Sequence, residues 1–185
     1  MKSLLFLAMA LLVFSCKKDD ATTVDEAVAN VRENTEVAAK EGTGKITLTC
    51  NGKQITAEGV CGGIITMGTL MFAVKDKTNP AKVFTIDFNT KDYPVDGKEY
   101  SIKPKDYTSD KNPENEVSVS FMEGLPNNKM NFWDPQAGSG KVVFSVNGNE
   151  IKCTLSNIKL QSSIYNADDL KSEGTVSGEF TLYKN

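Results

Sequence analysis

From Lys45 onward apolar residues recur at every second position, and this period of two constrains the fold more than any other feature of the chain. Ile46, Leu48 and Cys50 alternate with Thr47 and Thr49, and the same parity resumes at Ile55 and Ala57 after Asn51-Gly52. Asn-Gly between alternating runs favours a two-residue type I′ turn, because both central residues of that turn take positive φ. The first two strands are expected as a hairpin centred on Asn51 and Gly52, which sets position 61 opposite position 42. Gly59, Gly62 and Gly63 interrupt the second run. The apolar segment Ile64 to Val74 then reads as one or two buried strands with a bend at Gly68.

Further strand signals follow at Val83, Phe84, Ile86 and Phe88, at Tyr100 and Ile102, at Val117, Val119 and Phe121, and at Met130 and Phe132. Clusters of turn formers separate them: Asn79-Pro80, Pro94 to Gly97, Pro104 to Pro113 and Gly124 to Asn128. No helical pattern long enough for a crossover lies between strands, which argues against a parallel α/β sheet. The spacing predicts an all-β domain over residues 45–185, an antiparallel β-sandwich, with a lipocalin-like open barrel as the alternative. Val142, Phe144, Val146, Asn147-Gly148, Ile151 and Cys153 repeat the opening pattern, so a second hairpin centred on Asn147-Gly148 is expected. An internal duplication and two independent hairpins of a common type explain that match equally well. Ile158 and Leu160 extend this hairpin, Asn166 to Gly174 reads as a loop, and Val176, Phe180 and Leu182 mark a closing strand.

The beginning of the chain is of another kind. Lys2 is followed by an uninterrupted apolar run from Leu4 to Phe14 and the small residue Ser15. These have the form of the charged, apolar and small-residue regions of a secretory signal. A membrane-spanning helix needs roughly 20 apolar residues, so the run reads as an export signal, residues 1–15, rather than an anchor. Residues 16–44 follow as a tether with a helical piece: Thr23 and Glu26 fit a capping box, Val24, Ala27, Val28 and Val31 fall at helical spacing, and Gly42 is available to end the helix. Loss of residues 1–15 removes Lys2 alone and takes the net charge from -3 to -4, a poor surface for polyanions such as nucleic acid.

Cys16, placed directly after the apolar run and Ser15, resembles the lipobox of bacterial lipoproteins, in which the chain is cut before the cysteine and the thiol carries a diacylglyceryl group. Phe14 departs from the small residue usual at its position. Lys17-Lys18-Asp19-Asp20 is similar to the lysine-plus-acidic export signal that places Bacteroidota lipoproteins on the outer face of the outer membrane. Together with the Asn-Gly hairpins and the closing Gly174-Thr175-Val176-Ser177-Gly178-Glu179-Phe180-Thr181-Leu182, the chain resembles the uncharacterised β-sandwich lipoproteins of that phylum. The resemblance implies a lipid anchor at Cys16 and a location on the cell surface, with the periplasmic face of the outer membrane or secretion as alternatives. It carries over no functional residues.

The chain has no histidine, which removes Ser-His-Asp and Cys-His nucleophilic catalysis and leaves zinc without its commonest nitrogen ligand. No Cys-x-x-Cys, phosphate-binding loop or dinucleotide fingerprint occurs, and no cofactor or metal is expected. Asp110, Asn112, Glu114 and Glu116 alternate oxygen ligands, but Pro113 and the missing glycine depart from a calcium loop, so a solvated turn is the reading. With Cys16 lipidated, Cys50, Cys61 and Cys153 remain; a disulfide joining Cys153 to Cys50 or Cys61 and three buried thiols are both open. Tyr93, Tyr107, Phe132 and Trp133 lie in or beside loops, either as a stacking platform for a ligand such as a sugar or as the rim of a core. The expected function is therefore non-catalytic, structural or binding an extracellular glycan or protein. A carbohydrate-binding module and a carboxylate-based hydrolase are the alternatives.

Overall fold

The computed structural model describes residues 35–104, 113–126, 129–136, 138–164, 166 and 171–185. They form ten strands: β1 (Thr35–Cys50), β2 (Lys53–Thr66), β3 (Thr69–Asp76), β4 (Val83–Phe88), β5 (Glu99–Ile102), β6 (Glu116–Gly124), β7 (Met130–Pro135), β8 (Lys141–Asn147), β9 (Glu150–Ser162) and β10 (Glu173–Lys184). The domain is all-β, as the alternation requires.

One sheet closes on itself, which is compatible with the lipocalin-like barrel alternative and not with the two packed sheets of the expected sandwich. Its order runs β10-β1-β2-β3-β4-β6-β5-β8-β9, and β9 pairs back to β10 to complete a nine-strand barrel. Between β6 and β9 the wall is filled in two ways. At one end β5 and β8 bridge the gap, with β5 parallel to β6; at the other β7 pairs with Phe121–Gly124 of β6 and with Leu160–Ser162 of β9.

The hairpin turns explain how register is set. Asn51 and Gly52 have φ of 49° and 74°, the type I′ pattern, and Cys61 lies opposite Gly42 as the turn dictates. Met67 (φ 51°) and Gly68 (φ 78°) make a second turn of this kind, dividing the apolar run into β2 and β3. The expected twin does not form. Asn147 pairs with Glu150, so Gly148 and Asn149 are the central residues, and only Gly148 has positive φ. This II′-like turn places the apolar pair Val146–Ile151 next to the closing pair, whereas Leu48–Ile55 lies two positions from its closing pair. The two hairpins are thus built differently, which removes the structural ground for a duplication.

The tether boundary also moves. Pairing begins at Thr35, opposite Thr66, so residues 35–44 belong to β1 and Gly42 lies within a strand rather than at a helix end. Irregularities between Val37 and Ala39 and between Ala39 and Gly42 break the period of two there, which is why alternation does not reveal this part of the strand. Residues 23–34 of the expected helix lie outside the described residues.

Side chains fill the barrel. Phe72 packs edge-on against Phe88, Phe144 and Phe180 at centroid distances of 5.3, 6.3 and 6.2 Å, and Tyr100 closes on Phe144 at 5.7 Å. Such contacts add about 0.5–1.5 kcal/mol each beyond area burial. Gly44 makes room for this cluster: a Cβ there would lie 2.7 Å from the Phe180 Cβ and 2.8 Å from Val74 Cγ2. Several outward residues of β2 to β4 are buried as well. Ile64, Met71, Ala73 and Val83 point away from the interior and stay outside the main core, yet none exposes more than 5% of its surface.

Candidate functional site

The expected aromatic platform does not assemble. Trp133 is 1% exposed, packs edge-on against Phe121 at 6.1 Å, and donates its indole N–H to Ser172 Oγ at 3.0 Å. The inward positions of β7 are Asn131, Trp133 and Pro135, because burying the indole outweighs burying Met130 or Phe132, and Phe132 is left half-buried on the opposite side. Asn166 secures this parity: its amide donates to the Phe132 carbonyl at 2.8 Å and to Asn131 Oδ1, while its own Oδ1 accepts from the Phe132 N–H at 3.0 Å. Tyr93 lies at the other end of β10. Its hydroxyl donates to the Ala38 carbonyl and its ring lies under the Lys184 ammonium at 5.4 Å, whereas Trp133 is held beside Ser172, just before β10 starts. Tyr107 lies outside the described residues.

Cys16 and Lys17, Lys18, Asp19 and Asp20 also lie outside the described residues, as do Asp110 and Asn112. Glu116 begins β6 and is paired with Lys103 at 2.5 Å, and Glu114 is an exposed turn residue, consistent with a solvated turn. No cluster of three or more metal-ligating side chains is found among the described residues.

Of the two readings open for the cysteines, the structure has the three thiols: no disulfide joins Cys153 to Cys50 or Cys61, and all three are free and buried. Cys61 on β2 and Cys153 on β9 are separated around the wall by β1 and β10. Phe180, the partner of Cys153, occupies the intervening strand. Burial pushes both thiols far above the ordinary thiol range, so they pack as small apolar groups. Two carboxyl groups, Glu123 and Asp134, are also raised by burial, against opposing influences of Lys82 and of a Ser163 hydrogen bond respectively. Glu123 pairs with the inward Asn131, while Asp134 shares the outward parity of Phe132, so the two project from opposite faces of the wall.

What does form is a cleft of about 310 Å³ on the outer face of β2 and β3. Gly62 and Ala73 face each other across the two strands as its shallow floor, with Val60 and Ile64 on either side. Glu41, displaced by the β1 irregularity, and Lys75 to Lys77 with Pro80 make the rim. The rim is rigid because Asp76 binds it together. Its Oδ1 accepts from Thr78 Oγ1 at 2.6 Å and from the Thr78 and Asn79 N–H groups at 3.0 and 2.7 Å, and its Oδ2 accepts from the Glu58 N–H at 3.1 Å. Burial raises the Asp76 carboxyl, but these four bonds outweigh it and hold the group well below the usual carboxylate range. Beside it, Glu58 is lowered by hydrogen bonds and charge from Lys45 at 3.0 Å and Lys77 at 3.3 Å. Lys75 makes no ion pair among the described residues. The sequence signal for this cleft was Gly62-Gly63, one glycine for each face of β2.

No protein-family model, curated protein or solved structure matches the chain. No helix among the described residues is long and apolar enough to cross a membrane.

Proposed function

We propose that this chain is a lipid-anchored lipoprotein of the Bacteroidota kind, held to the outer membrane through Cys16 and displaying a non-catalytic barrel that acts through its outer wall. The N-terminal residues Leu4 to Asp20 support the anchor and its surface location. The observation that carries the binding or structural role is the solid interior: Phe72, Phe88, Tyr100, Phe144 and Phe180 occupy the space where a barrel of the lipocalin type holds its ligand. Contacts with a glycan or protein then fall to the outer wall. The carbohydrate-binding reading loses its main support with the burial of Trp133, and the hydrolase reading finds no facing pair in Glu123 and Asp134.

The test is detergent-phase partitioning of the membrane protein together with protease treatment of intact cells. The wild-type chain is expected in the detergent phase and to be degraded on whole cells, and a Cys16→Ala variant to leave the membrane fraction. A wild-type chain in the aqueous phase, or one protected until the outer membrane is broken, would defeat the surface-anchor reading.

A further inference from the structure

We infer that the open edge of β2, residues 53–57, pairs antiparallel with the same edge of a second copy of this chain, joining two barrels about a two-fold axis at Ile55. β2 runs beside β1 from Lys53 to Thr66, but β3 joins its other side only from Gly59 onward. The Asp76 carboxylate ends that pairing. It accepts from the Glu58 N–H at 3.1 Å in place of a strand carbonyl, and the Lys77 N–H donates to the Glu58 carbonyl at 3.0 Å before the chain turns away toward β4.

Backbone direction alternates along a strand, so the N–H and C=O groups of Gln54 and Thr56 point the same way as those of Glu58. On that side they have no partner among the described residues. Gln54 is exposed and Thr56 half-buried, and from Gln54 to Ala57 the edge carries neither a charge nor a proline. Those are the devices by which free edges are ordinarily kept from pairing, and here only Lys53 at the hairpin tip supplies one.

The edge uses all its free groups against itself in one register only. Glu58 is already satisfied, and Lys53 turns its backbone groups toward Cys50 of β1, so an incoming strand finds just Gln54 and Thr56. An antiparallel copy meets both when Gln54 faces the second copy's Thr56. This register makes four hydrogen bonds and sets Ile55 opposite its own counterpart in a non-hydrogen-bonded pair. Ile55, which packs only partly against the core, gains an apolar neighbour on its own face of the sheet. Lys53 faces the second copy's Ala57, and the two Lys53 residues stand ~13 Å apart along the strands, so like charges do not meet. The hairpin tip at Asn51-Gly52 carries the edge past the end of β3, and antiparallel pairing sends the two barrels in opposite directions from the joined tips. A seam this short falls below the roughly 800 Å² per partner of a stable interface, so the dimer is weak and forms at high protein concentration.

The experiment uses the mature full-length chain with Cys16→Ala and Cys50→Ala, so neither lipid nor the neighbouring thiol interferes. The Cα atoms of a non-hydrogen-bonded pair lie ~4.5 Å apart, within the range of a disulfide. On oxidation with diamide, Ile55→Cys is expected to form covalent dimer at least about tenfold faster than Thr49→Cys, which lies one strand further in. With Ile55 retained, sedimentation equilibrium up to about 1 mM should show a dimer that Thr56→Pro abolishes while Trp133 emission stays unchanged. The Thr56 N–H faces the open edge, so its loss leaves the β1 ladder whole. The cross-linking comparison stands independently of how well Thr56→Pro folds. Equal cross-linking at positions 55 and 49, or a dimer that a folded Thr56→Pro leaves intact, would overturn the inference. A chain that stays monomeric throughout would overturn it as well and leave the edge to a strand from another protein.

Discussion

Replacing Asp76 with alanine should destabilise the barrel more than any other change to a charged residue described above. The carboxylate accepts four hydrogen bonds, three of them from backbone N–H groups, and joins the end of β3 to β2 and to the turn leading into β4. Hydrogen bonds to a charged group contribute about 1.5–3 kcal/mol each when buried. Thr78 is exposed, so water replaces part of what its two groups lose; the Glu58 and Asn79 N–H groups are more enclosed. The expected loss is about 3 kcal/mol, which for a domain of this size lowers Tm by roughly 10 °C. Asp76→Asn keeps one acceptor oxygen and should lose about half as much.

The sign of the pH dependence follows from the lowered carboxyl. Its folded value lies below the unfolded value of about 3.9, so the stabilisation is complete above that unfolded value. It is lost as pH falls through the folded value. The gap between wild type and Asp76→Asn should therefore be full at pH 7 and shrink below about pH 4. Urea unfolding followed by the emission of Trp133, the only tryptophan, measures both quantities. A loss under about 1 kcal/mol for Asp76→Ala at pH 7, or a gap that does not change with pH, would refute the reasoning.

Other changes test the core and the wall. Phe144→Ala removes a ring packed against Phe72, Phe88 and Tyr100 and should lose about 4 kcal/mol in urea unfolding; a loss under about 1.5 would mean a loosely packed interior. Gly178→Ala should lose at least about 2 kcal/mol, since φ is 148° and the new Cβ would lie 2.2 Å from the Lys45 carbonyl oxygen; a stable variant with unchanged Tm would contradict the close β1–β10 approach. Cys61 and Cys153 should resist an aromatic disulfide reagent at pH 8 until urea unfolds the chain, and labelling of the native protein would show that the interior opens.

Much of the fold is legible in local chemistry. Asn51-Gly52 dictates a turn type, the turn dictates register, and register places Cys61 opposite Gly42. Closure is not legible in that way, because the β1–β10 pairing joins residues as far apart as Ala39 and Lys184 and leaves no local signature. Bulges hide what alternation would reveal. The first ten residues of β1 lose their period at two irregularities. In β9, Asn157 with φ of 53° shifts parity between Leu155 and Ile158, opposite a break between Val176 and Gly178. β7 misleads for another reason: its apolar residues Met130 and Phe132 occupy the outward parity, and Asn131 is buried only because Asn166, 35 residues on, satisfies its amide oxygen. The cleft was harder still to foresee, since the apolar run from Ile64 to Val74 marks buried strands without marking a hollow on one of their faces. Only the adjacent Gly62 and Gly63 hinted at it: Gly63 is approached closely by Phe72 on the inner side, and Gly62, opposite Ala73, leaves the outer floor shallow.

The most direct measurement is the intact mass of the protein extracted from membranes, beside a Cys16→Ala variant. A chain that begins at Cys16 and carries diacylglyceryl mass, absent from the variant, is the expected result. A mature chain that keeps residues 1–15, or one that starts elsewhere without lipid, would contradict the anchored barrel proposed for this sequence.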